Sequence, residues 1–133
     1  MMNRRKAREY AFILLFEYRF QPDVINDIIE DFFAENDAGK QEEYIRDVVC
    51  GAISHIEEID AVIAENSKAW SPDRISNVCM AVMRLAVYEM KYVDSIPPNV
   101  SINEGVSLAV EYDGEESAPF VNGVLDKIKF RIK

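Results

Sequence analysis

The order of apolar and polar positions predicts helices along the whole chain. From about Asn3 to Phe20, residues Ala7, Ala11, Leu14, Leu15 and Tyr18 recur at the spacing of one helical face. Phe12, Ile13 and Phe16 fall partly off that stripe, so this helix is either central or has a second surface to cover. Pro22-Asp23 starts a short second helix carrying Ile25, Ile28, Ile29, Phe32 and Phe33. Asn36-Asp37-Ala38-Gly39 supplies the turn chemistry that ends it. Ile45, Val48, Val49, Ala52, Ile53, Ile56, Ile59, Val62 and Ile63 then keep the 3–4 spacing, predicting a single third helix of about five turns.

The pattern stops around Trp70, and Ser71-Pro72 offers an N-cap followed by proline at the first helical position. Between Pro72 and about Tyr92 two stripes appear: Ile75, Val78, Val82 and Leu85, and Cys79, Met83, Ala86, Val87 and Met90. A helix apolar on two sides sits at the centre of a bundle. Ser95-Ile96-Pro97-Pro98 breaks it, and Ser101-Ile102-Asn103-Glu104 reads as a capping box opening the next helix. Val106, Leu108, Ala109 and Tyr112 follow, and Asp113-Gly114 ends that segment. Ser117 is expected to cap a last helix with Pro119 in its first turn and Phe120, Val121, Val124, Leu125 and Ile128 on its apolar side. No segment alternates with period two. The expected fold is all-α with six or seven helices, in one domain spanning residues 1–133.

Composition narrows the function. The chain has 133 residues, 49% of them hydrophobic, enough for a core without staples. The longest apolar run, Tyr10 to Phe16, is far shorter than the roughly 20 residues of a membrane span, and no small-residue cleavage site follows it. The expectation is a cytoplasmic protein with no membrane partner. Cys50 and Cys79 lie far apart within helical patterns and read as free, buried thiols. The single histidine, His55, reads as a partly packed side chain beside the third apolar stripe. No metal-ligand spacing, phosphate loop, nucleophile elbow or embedded acid pair is present. Hence no catalytic residue, metal or cofactor is expected, and the chain does not read as an enzyme.

The distribution of charge points to a different class of partner than its sum does. A net charge of −9 argues against nucleic acid, but more than half of the 15 basic residues lie at the two ends. Arg4, Arg5, Lys6 and Arg8 stand at one end without an acid among residues 1–8. Lys127, Lys129, Arg131 and Lys133 stand at the other. Cations in a first helical turn face the positive end of the macrodipole, which disfavours them. Either this is a solvated helix end, or it meets phosphates, which arginine forks match. The carboxy-terminal cations either join the same patch or stabilise a helix end. Gly123, inside an apparent helix, is expected to admit a close helix neighbour; Asn122 is then a buried amide or a ligand contact. Phe120 is either core or a ring on which a base stacks.

Several segments together resemble one family. Arg5-Lys6-Ala7-Arg8-Glu9, with Ala11, Leu14 and Leu15, is similar to the arginine-rich motif of the NusB family of transcription antitermination factors. Trp70-Ser71-Pro72-Asp73-Arg74-Ile75 and Met83-Arg84-Leu85-Ala86-Val87-Tyr88-Glu89 resemble its central helices. Ile102-Asn103-Glu104, Leu108-Ala109 and Phe120-Val121-Asn122-Gly123-Val124-Leu125-Asp126 resemble its carboxy-terminal block. The resemblance implies a bundle of about seven helices in two helical subdomains packed along the first helix. It implies binding, with ribosomal protein S10 (NusE) in the antitermination complex, to boxA RNA of nascent ribosomal RNA transcripts. Arg4, Arg5, Lys6 and Arg8 are then RNA contacts, with Glu116, Phe120 and Asn122 near the RNA. The S10 surface is implied around Asp73, Cys79, Met80 and Met83.

Two positions depart from the family pattern. An acid followed by a base is common where Cys79-Met80 stand, and glutamine is usual where Ile13 stands. These changes make either a homodimer face or a repacked core. The alternative function is accordingly a helical protein-interaction or homodimerising module that binds no RNA. A related domain occurs fused to RNA methyltransferases; with the sequence reaching only to Lys133, no cofactor-binding domain and no such activity are expected.

Overall fold

Among the described residues the chain forms seven α-helices: α1 (Arg4–Phe20), α2 (Ile25–Glu35), α3 (Glu42–Ser54), α4 (Ile56–Asn66), α5 (Asn77–Tyr92), α6 (Pro98–Asp113) and α7 (Ser117–Ile132). Short 3-10 turns at Pro22–Val24 and Gly39–Gln41 lead into α2 and α3. The computed structural model describes residues 2–70 and 74–132, and no strand occurs among them. The expected Ser71-Pro72 cap lies outside the described residues.

Helix α5 is the hub that its two apolar stripes predict. It packs against α1, α3, α4, α6 and α7 and is buried without interruption from Ala81 to Glu89. On one side α1 carries α2 and α3; on the other α5, α6 and α7 pack together, so the two helical groups meet along α1 and α5. Arg84 fixes α4 to α5 through a two-pronged bridge to Asp60 at 2.9 and 2.8 Å. Ser76 caps α5 by accepting from the Cys79 amide at 3.0 Å, so Ile75 precedes the helix instead of joining its stripe.

Three boundaries differ from the pattern. The third apolar stripe continues from Ile45 to Ile63, but the backbone breaks at His55 (φ −111°, ψ 23°) into α3 and α4. The His55 amide is shared between the Gly51 and Ala52 carbonyls at 3.1 and 3.2 Å, a tightened last turn. The bend lets α3 lie on α1 while α4 reaches α5 and α7. The His55 ring stacks on Tyr92 at 4.4 Å. The capping box does not cap. Helix α6 starts at Pro98 after an extended Pro97, because proline is preorganised for a first helical position. Ser101 and Glu104 are therefore inside the helix. Ser117, expected as a cap, is the first residue of α7, and its hydroxyl bonds Asp113. Gly114 takes φ +102° in the α6–α7 turn, a backbone angle that favours glycine.

Candidate nucleic-acid interface

The basic end of α1 is capped by Asn3, whose side chain accepts from the Lys6 amide at 2.8 Å. That cap starts the helix despite the cations in its first turn. Arg4 is exposed and sits over the Tyr44 ring, its guanidinium carbon 4.0 Å from the centroid, with Nε donating to Gln41 at 2.8 Å. Arg5 has a side chain 74% exposed, held 3.4 Å from Glu104. Lys6 is exposed and donates to Glu9 at 3.0 Å.

Arg8, also expected as an RNA contact, is placed differently from the other three. It is 5% exposed, and its Nε donates to the fully buried Glu89 at 3.0 Å. Glu89 also accepts from Ser101 at 2.8 Å and from the Tyr44 hydroxyl. Burial opposes the Arg8 charge, but Glu89 and Tyr44 beside it outweigh burial and hold its pKa above the ordinary value. Burial first, and then Glu89, pushes the Tyr44 phenol well up.

The acid-free amino-terminal sequence is not acid-free in space. A cavity of about 270 Å³ has Arg5, Lys6 and Arg8 facing Glu9, Glu104 and Glu111. The Tyr112 hydroxyl and Lys6 both donate to Glu9 and hold its carboxyl below the usual range. Sequence reasoning missed Tyr44, Glu89 and Glu104. A lone acid within the apolar run Ala86–Met90 was the one available signal for Glu89.

The second expected RNA cluster lies at the start of α7. Glu116 and Asn122 are exposed; Phe120 is half-buried with its ring edge-on to Trp70 at 4.8 Å. Asn122 is therefore not a buried amide. Gly123 faces open space with nothing within 4 Å of a Cβ, so it admits no close helix neighbour. Tyr112 links this end to α1 through Glu9 and by packing on Phe12 at 4.9 Å. The carboxy-terminal cations do not join the α1 patch through any described contact: Lys129 donates to Asn99 at 2.9 Å and Arg131 lies 3.8 Å from Glu65.

Of the expected partner residues, Asp73 lies outside the described residues. Cys79 and Met83 are buried in the free chain, because α5 is covered on nearly all sides. The Cys79 thiol donates to Asp113 at 3.6 Å, and burial pushes its pKa up. Met80 is half-buried and lines a cavity of about 440 Å³ with Arg19, Trp70 and Ile75. The second surface of α1 is real: Ile13, Phe16 and Val78 border an apolar cleft of about 150 Å³, and Phe20 beyond it is 56% exposed. Cys50 is exposed, contrary to expectation; Cys79 is buried as expected. Among the described residues no helix is long and apolar enough to cross a membrane, and no acid, histidine or cysteine group could hold a metal.

An all-helical bundle with a cationic helix end and an apolar second face defines a binding module. The chain matches the NusB family over residues 5–130 and belongs to it. It is 44% identical over 124 residues to the transcription antitermination protein NusB of Thermoanaerobacter sp. (strain X514), covering 93% of this chain and 88% of that protein. The T. maritima NusB structure superposes with a TM-score of 0.88 at 35% identity, covering 97% of this chain and 92% of that one. A crystal structure of the antitermination factors NusB and NusE in complex with double-stranded RNA matches with a TM-score of 0.81 at 30% identity, covering 96% of each chain.

Proposed function

We propose that this protein is a transcription antitermination factor that binds boxA RNA of nascent ribosomal RNA transcripts together with ribosomal protein S10 (NusE). It acts in the cytoplasm as a binding module without turnover. The observation that carries the reading is the exposed trio Arg4, Arg5 and Lys6 on one helix end, in a chain of this family. Their guanidinium and ammonium groups anchor phosphates, and base preference comes from elsewhere, with Glu116, Phe120 and Asn122 as contributors. The likeness to the NusB–NusE–RNA structure supports both partners. For S10 we assign the apolar cleft of Ile13, Phe16 and Val78 with Phe20, and Met80 nearby, in place of the buried Cys79 and Met83.

Titration of labelled boxA RNA, with and without S10, tests this. Binding is expected to tighten with S10 and to weaken with salt at a log–log slope of about −2, three phosphates at about 0.7 each. Binding that ignores salt, or none with S10 present, overturns it. The competing reading, self-association through the same α1 face, predicts instead a stable dimer by light scattering that excludes S10.

A further inference from the structure

Glu89 stands where α1, α3, α5 and α6 meet, and each of the other three helices sends it one donor. These are Arg8 Nε at 3.0 Å from α1, the Tyr44 hydroxyl from α3 and Ser101 Oγ at 2.8 Å from α6. Glu89 is 0% exposed, so Arg8 cannot swing outward without leaving a buried carboxylate short of its counter-charge. The network also reaches the surface by two routes. The Tyr44 ring, fixed at its hydroxyl by Glu89, supports the Arg4 guanidinium at 4.0 Å. Glu104 is shared between Arg8 at 3.7 Å and Arg5 at 3.4 Å. Both exposed arginines thus rest on groups that the buried pair holds.

We propose that Arg8 and Glu89 are a buried positioning pair for the RNA-binding end: Arg8 touches no phosphate, and with Glu89 it holds Tyr44 and Glu104, which set Arg4 and Arg5 for phosphate. This rests on the RNA-binding reading above. An arginine held by a ring face or a shared acid has less freedom to lose when it docks, so affinity depends on residues that never meet the ligand. The basic motif then supplies three phosphate-binding cations, Arg4, Arg5 and Lys6, and the fourth acts through them.

The test compares wild-type protein, R5A and the neutral double variant R8M/E89Q, each full-length with S10 and labelled boxA RNA across a KCl series. The double variant keeps side-chain volume and a hydrogen-bonding group for Tyr44 and Ser101. R5A is expected to make the slope shallower by about 0.7, because one phosphate fewer is neutralised. R8M/E89Q is expected to keep the wild-type slope while its Kd rises about three- to tenfold, the signature of weakened preorganisation. A slope shallower by about 0.7 in R8M/E89Q makes Arg8 a phosphate ligand and overturns the proposal; so does an unchanged Kd. If the double variant does not fold, R8Q/E89Q replaces it, a neutral pair of amides that can still hydrogen-bond each other, with the same two readings.

A second measurement needs no RNA. In free wild-type protein the Arg4 side-chain NMR resonances are expected to be shifted upfield by the Tyr44 ring, and to move toward the free-arginine position in R8M/E89Q. Resonances that stay in place overturn the positioning role. Wild-type protein that binds no RNA overturns the functional reading instead, and the Arg4 resonances then judge the pair alone.

Discussion

The two thiols show how far a residue's neighbours decide its chemistry. Cys50 faces solvent, whereas Cys79 is buried with its Sγ toward Asp113. Burial raises the Cys79 pKa and thins its thiolate, the reactive form. Iodoacetamide is therefore expected to label one equivalent of thiol in native protein and a second only after unfolding; mass spectrometry of the digested protein checks this. Tyr88 carries a similar message for pH. Burial, and then its 2.9 Å hydrogen bond to Asp47, pushes its phenol up to about 12. A folded-state pKa above the unfolded value of about 10 gives stability that is complete below pH 10 and lost as pH rises through 12. Urea midpoints measured from pH 8 to pH 11.5 are expected to fall at the alkaline end, and to fall less in Tyr88→Phe.

At the scale of elements, apolar spacing was a good guide to which stretches are helical and a poor guide to where they end. The stripe from Ile45 to Ile63 carries no trace of the break at His55, because α3 and α4 each bury the same kind of residue against different neighbours. The Ser101–Glu104 box satisfied a local rule, but Pro97-Pro98 had already started the helix, freeing both side chains for Glu89 and Arg5. Helix packing also sorts the glycines. A Cβ on Gly51 would overlap the Tyr88 ring where α3 crosses α5. Gly51→Ala is therefore expected to cost about 1–3 kcal/mol through overpacking, measured by urea unfolding. Gly123 faces open space on α7, so Gly123→Ala is expected to raise stability by up to about 1 kcal/mol, the helix-propensity difference, in the same assay. A destabilised Gly123→Ala protein would mean that the α7 surface is not open in solution.

For the whole molecule, α5 packs on α1, α3, α4, α6 and α7, and α1 joins the two helical groups. Far-UV circular dichroism and Trp70 fluorescence are therefore expected to report one coincident unfolding transition; two separated midpoints would show that the groups unfold independently. Charge is also a property of the whole. A net −9 repels RNA at long range, and Glu9, Glu104 and Glu111 press on the few cations that could attract it. This arrangement suits a protein that binds RNA weakly alone and tightly beside a second protein.

The chain's own order of residues settled the helical class, the central place of α5 and the chemistry of the first turn, because these depend on spacing and side-chain type alone. It could also place Arg4, Arg5, Lys6 and Arg8 on one helix end. Which of those four is free was decided only in three dimensions. Burial and charge pairing act between residues far apart in sequence, and Arg8 and Glu89 are 81 positions apart. One helix end with four like cations became three exposed ones and a buried fourth because α3, α5 and α6 converge beneath it.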